Sequence, residues 1–186
     1  MTDLLAQYDR LTRALAAAAP AAIPTLARVV FLLVFFTYFW NSAALKLDGP
    51  FSPTAGAFGQ IFPRAAEAVL YNIQEASVLQ KAVMVLGAWA EFALPLLIVV
   101  GLATRPAALG MIGFVVVQSL TDIYGHGLSG GDIGSWFDNV ADATILDQRA
   151  LWVFLLLVLV LRGAGPISLD AVLNMARARL APSAPA

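Results

Sequence analysis

Three ionisable side chains stand in stretches otherwise too apolar to carry them: Glu91 in AEFALPLLIVVGL, and Asp122 and His126 in QSLTDIYGHG. Carboxyl and imidazole groups in an apolar setting suit general acid–base work or proton relay, so these three are the candidate catalytic residues. Tyr38, Asn41, Lys46, Gln118 and Arg149 add donors and acceptors that could bind a ligand. The chain has no cysteine and one histidine, which excludes thiolate metal sites, iron–sulfur clusters, covalently attached haem and a bis-His haem within one subunit. No metal site is expected. The glycines of GLSGG and SGGDIG have neither phosphate-loop nor dinucleotide spacing and read as a flexible turn.

The elements that must position these groups are helices in a bilayer. Of 186 residues 60% are hydrophobic and 12% charged, with a mean hydropathy of +0.81, a make-up outside that of soluble domains. Four stretches approach the ~20 residues that a span needs: about 27–44, 82–102, 106–124 and 148–161. The fold class is therefore all-α, an integral membrane four-helix bundle forming a single domain over 1–186. Only ATR separates the second and third spans, and Pro106 suits a helix start, so these two form a tight antiparallel hairpin. The last span is short between Arg149 and Arg162. It crosses only if the arginines snorkel or Arg149 faces protein.

With both termini inside, Arg10, Arg13, Arg28, Arg105, Arg162, Arg177 and Arg179 gather on the cytoplasmic side of a bacterial inner membrane, against Lys46, Arg64, Lys81 and Arg149 outside. A net charge of −1 argues against a nucleic-acid partner. Residues 1–24 carry Leu4, Leu5, Tyr8, Leu11 and Leu15 on one stripe. Leu169, Val172, Leu173, Ala176 and Leu180 do the same over 168–180, after a Ser168 cap. Both read as amphipathic helices lying on the inner leaflet or packing on a partner protein. Two outer segments, 47–80 and 127–147, are placed to cap the space that the spans enclose, the first with a short helix carrying Phe62, Ala66, Val69, Leu70 and Ile73.

Counting about 1.5 Å per residue from the cytoplasmic ends puts Glu91 at about 15 Å and Tyr38 at about 16 Å. Gln118 falls at about 18 Å, Asn41 at about 21 Å, Asp122 at about 24 Å, Lys46 at about 28 Å and His126 at about 30 Å. Gln118, Asp122 and His126 follow an i, i+4, i+8 row, and Tyr38, Asn41 or Ser42, and Lys46 form a stripe on the first span. These faces predict a polar pocket in the outer half of the bundle, with Glu91 at its floor, Lys46 and His126 at its mouth, and Arg149 joining from the fourth helix. Glu91 has no cation at its own depth, which predicts a carboxyl that is protonated or solvated by buried water. For Gln118, Asn41 and Ser42, interhelical hydrogen bonding is the simpler role.

The turn GLATRPAALG, the exit LRGAGPISLD, Lys46 beyond the first span, the glutamate of AEFALPLLIVVGL and His126 together resemble the DoxX family of small four-helix membrane proteins, from about Arg28 to Asp170. The one departure is GAGPISLD, where family members commonly have a second glycine after the proline. That resemblance implies a membrane subunit of an oxidoreductase, as in thiosulfate–quinone oxidoreductase, while many relatives have no assigned activity. The function expected is a quinone-linked, respiratory-type membrane subunit with no covalently bound cofactor. The alternative is a non-catalytic accessory or assembly subunit of a larger membrane complex. A small transporter is disfavoured by the lack of broken helices or inverted repeats.

Overall fold

The computed structural model describes residues 2–180. Alanine-rich sequence carries helix α1 (Thr2–Phe31) past Pro20 and Pro24, through a π-helical turn at Leu32–Phe36, and into α2 (Thr37–Ala44) without a break. The expected separate helix over 1–24 is thus the first part of a longer rod. Prolines usually end or kink helices. Here alanine, the best helix former, surrounds both, and the Thr25 hydroxyl donates to Ala21 O at 2.8 Å in the turn beside Pro24. The continuous helix Asp3–Ala44 is 42 residues long, apolar enough over part of its length to cross a membrane. At about 1.5 Å per residue it reaches about 63 Å, twice the hydrocarbon thickness, so its first half projects beyond the bundle.

A small hairpin, β1 (Leu47–Gly49) and β2 (Ser52–Pro53), comes next, then α3 (Ala55–Ile61) and α4 (Pro63–Ala68). The short cap helix expected over Phe62–Ile73 is present only as α4, and α3 precedes it as a separate helix because a residue before proline is held out of helical geometry and Phe62 adopts φ −128°, ψ 58°. Leu70, expected on its apolar stripe, is 89% exposed and has a positive φ. Phe58, Ala57, Ala66, Ala76 and Met84 form a small core that seats this cap on the bundle.

The other crossings are α5 (Val78–Val100), α6 (Thr104–Leu120) with a π turn at Thr121–Gly125, and α7 (Ala150–Arg162) preceded by a π turn at Thr144–Arg149. Among the described residues four helices are therefore long and apolar enough to span a membrane, and four alternating crossings return the two ends of the described chain to one face. The short fourth span is resolved by its π turn: the continuous helix Thr144–Arg162 has 19 residues, about 28 Å, and Arg149 is buried against protein. Phe31, Phe35, Phe39, Ile98, Met111, Val115, Leu156 and Leu159 fill the bundle. Helix α8 (Leu169–Leu180) closes the described chain, with Ser168 Oγ accepting from Ala171 N as the expected cap.

Helix ends near hydrocarbon have few solvent partners for their free backbone groups, so side chains must supply them. Arg28 Nε donates to Ile98 O at 2.9 Å and its Nη2 to Val99 O, satisfying the last turn of α5. Its Nη1 donates to Ala164 O at 3.0 Å and to Ile167 O in the α7–α8 link. Asp170 answers with its carboxylate, accepting from Ala103 N at 2.8 Å and Thr104 N at 3.0 Å at the start of α6. Its own N–H donates to Gly101 O at 2.8 Å. The two segments GLATRP and GAGPISLD are thereby stitched into one lock. Partial burial by itself would raise the Asp170 carboxyl, but the Thr104 and Ala103 N–H groups, with Arg28 nearby, hold it below the ordinary aspartate value of 3.8.

Gly101 sits in this lock with φ +70°, and a Cβ there would lie 2.5 Å from Ser168 Cβ and 2.8 Å from Arg28 Cζ. Gly101→Ala is expected to lower thermal stability in detergent by the equivalent of about 1–3 kcal/mol. For Asp170→Ala the sign comes from a folded value below the unfolded one. The stability difference from wild type should be complete above pH 3.8 and close as pH falls through the folded value. A difference independent of pH across that range would remove the carboxylate from the lock.

Candidate functional site

Side chains on a helix tilt toward its N-terminus. Helix α2 runs away from the termini and α5 runs back toward them, so Lys46, just past the end of α2, leans into the bundle while Glu91 leans out to meet it. Lys46 Nζ lies 2.6 Å from Glu91 Oε1 and 2.7 Å from Oε2, and 2.7 Å from Ser42 Oγ. Both charged side chains are 4% exposed. This overturns the expectation that Glu91 lacks a cation at its depth. Counting helical rise measures where Cα atoms lie, whereas a lysine stem reaches back a full turn. Lys46 is accordingly inside the bundle and not at its mouth.

A second pair stands beside it. Arg149 Nη2 meets Asp122 Oδ2 at 2.5 Å, and Nη1 donates to Ser119 Oγ at 3.0 Å, tying α6 to the start of α7. Between the pairs lies a cavity of about 120 Å³ bordered by Tyr38, Lys46, Glu91, Gln118 and Asp122, with Phe39, Phe114 and Val117 as apolar walls and α3 above it. That is room for several waters or for one small ring. Gln118 Nε2 donates to the Tyr38 hydroxyl at 3.2 Å. Gln118 Oε1 is buried with no hydrogen-bond partner.

The cavity brings together five of the eight sequence candidates, and the other three lie elsewhere. Asn41 is exposed on α2, and Ser42 takes the polar position on the cavity side. Arg149 reaches Asp122 from behind the wall. His126 is exposed, with Nε2 2.9 Å from Gln60 O. The i+4 row fails after Asp122 because the π turn Thr121–Gly125 inserts a residue into the helical frame, rotating the residues beyond it by about 100°. His126 therefore holds α3 over the cavity from outside.

Sequence reasoning passes over Ser119 as a partner of Arg149 and the whole Arg28–Asp170 lock. Ser119 stands within QSLTDIYGHG, but its position facing α7 depends on the crossing of the two helices. Arg28 at the mouth of a span is legible only as a positive charge.

The fold and site define a four-span α-helical membrane protein with a charged, partly apolar cavity in the half of the bundle away from the termini. Residues 23–121, just over half the chain, match the DoxX family model, and the chain belongs to that family. No curated protein and no solved structure matches it. The matched residues include Arg28, Tyr38, Ser42, Lys46, Glu91 and Gln118.

Removing one member of a buried pair leaves the other charged in hydrocarbon, at about 3–5 kcal/mol, while replacing both with apolar residues is often neutral. Lys46→Met and Glu91→Leu should each strongly destabilise the detergent-solubilised protein, and the double variant should recover most of the loss. Additive losses in that thermal double-mutant cycle would mean the two side chains are not coupled.

Proposed function

We propose that the protein is a membrane subunit of a quinone-linked oxidoreductase, and that the cavity beside Lys46–Glu91 holds the quinone head. The observation that carries this reading is a buried, hydrogen-bonded ion pair bordering a ring-sized cavity whose remaining walls are largely apolar. When bound, a quinone accepts two electrons and two protons at its carbonyl oxygens. Lys46 and Tyr38 donate to such oxygens, and Gln118 Oε1, otherwise orphaned, accepts from a hydroxyl. Glu91, held against Lys46, takes up and returns the proton that the lysine passes on. Asp122 stays with Arg149 and sets the charge of the far wall. An apolar groove of about 530 Å³ between α1 and α7 is also bordered by Tyr38, with Val34, Phe35, Trp152 and Leu155, and offers a course for an isoprenoid tail. With no cysteine and one histidine in the chain, the electrons come from a partner protein or a freely bound substrate.

A specific observation favours the accessory reading as well. Leu4, Leu5, Tyr8, Leu11 and Leu15 are 59–72% exposed along the projecting part of α1, a face suited to an inner leaflet or a partner subunit. The arginine distribution supports placing that end, and both termini, in the cytoplasm of a bacterial cell.

Protein extracted in mild detergent should retain quinone detectable by solvent extraction and chromatography. Gln118→Leu and Tyr38→Phe, which leave the ion pair intact, should lose most of it while keeping the unfolding temperature of quinone-depleted wild type. No quinone in wild type, and no stabilisation by added short-chain quinone, would defeat the reading. Orientation is checked separately, since the chain has no native cysteine. Ser135→Cys should react with a membrane-impermeant maleimide in intact spheroplasts, and Met175→Cys should react only after lysis.

A further inference from the structure

We infer a second ligand site on the termini face, an anion site for a phosphate group, independent of the quinone reading. The α6 start, the α7 end and the first two turns of α8 border an open pocket of about 380 Å³ lined by Thr104, Arg105, Arg162, Gly163, Asp170 and Asn174. Its polar groups are weighted toward donors. Among the described residues neither Arg105 nor Arg162 has a carboxylate within ion-pair distance, the two ion pairs being those of Lys46 and Arg149. Asp170, the one acid at the pocket, is already committed: each of its oxygens accepts a backbone N–H of the α6 start. Thr104 is fully buried, and its hydroxyl stands against the Asp170 carboxylate. Two exposed guanidinium groups without a carboxylate partner and the Asn174 amide border the pocket beside one committed acid.

The backbone keeps this space open. Gly163 has φ +78°, and a Cβ there would lie 3.4 Å from Arg105 Nε, in contact with the guanidinium. The φ, ψ pair of 78°, −157° also belongs to a region only glycine occupies easily. Arginine forks match phosphate oxygens in pairs, and basic pockets between spans at a membrane face suit anionic head groups. The ligand chemistry is a phosphate oxygen pair. Its source is a phospholipid of the adjoining leaflet or a soluble phosphate, and the two are separable.

The test is thermal unfolding of the full chain in neutral detergent, titrated with phosphatidylglycerol, with phosphatidylcholine and with inorganic phosphate. Phosphatidylglycerol should raise the unfolding temperature of wild type, and Arg105→Gln/Arg162→Gln should weaken the apparent affinity about ten-fold or more. Arg177→Gln/Arg179→Gln removes the same charge from the exposed end of α8 and should leave the response unchanged. A response to inorganic phosphate that competes with the lipid assigns the site to the phosphate itself, and one to the anionic lipid alone assigns it to the head group with its glycerol. Equal responses in wild type and Arg105→Gln/Arg162→Gln, or equal weakening by the Arg177 and Arg179 changes, would overturn the site. Because the readout is stability and not quinone content, failure here leaves the quinone reading untouched.

Discussion

A lysine and a glutamate brought together in hydrocarbon govern the half of the bundle away from the termini. Each ion costs several kcal/mol to desolvate, and only near-ideal geometry offsets that cost. Lys46 Nζ within 2.7 Å of both Glu91 oxygens and of Ser42 is such a geometry. It fixes the register of α2 against α5, since a shift of one residue on either helix would strand a charge. Arg149 and Asp122 impose the same condition on α6 and α7. With all four crossings held by two ion pairs, the space between them is bordered by charge on two sides and by Phe39 and Phe114 elsewhere.

The opposite face solves a related problem with different groups. There the polar atoms needing partners are backbone carbonyls and N–H groups at helix ends, and the answer is one arginine and one aspartate used as caps. Arg28 collects carbonyls from α5 and from the α7–α8 link, and Asp170 collects N–H groups from the α6 start. Rigid ends on this face and coupled charges on the other leave the three π turns as the places where the helical frame changes phase. Two of them carry Asp122 and Arg149. Turns of this kind often occur at functional sites, since an inserted residue re-aims the side chains around it.

Much of the arrangement is readable along the chain because the bilayer is so restrictive a solvent. Four apolar stretches, the ATR hairpin, the Ser168 cap and the inward pull on Gln118, Asp122, Tyr38 and Lys46 all derive from length, period and the cost of polar groups in lipid. The misreadings have equally definite causes. His126 leaves its row through a π turn that no periodicity announces. Counting helical rise locates Lys46 by its Cα, and Glu91 looks lone only while the reach of the lysine side chain is left out. The unbroken α1 reflects alanine overriding two prolines, a balance of propensities too close for pattern reading.

Composition and spacing alone determined that this is a four-span helical membrane protein with ionisable groups turned toward its interior, because apolar stretches of helix-spanning length satisfy their backbone in hydrocarbon as helices and hydrocarbon admits few other placements of charge. Which charges pair was decided only in the tertiary structure. Pairing depends on helix direction, side-chain tilt and local phase, and those are properties of helices packed together and not of any one of them.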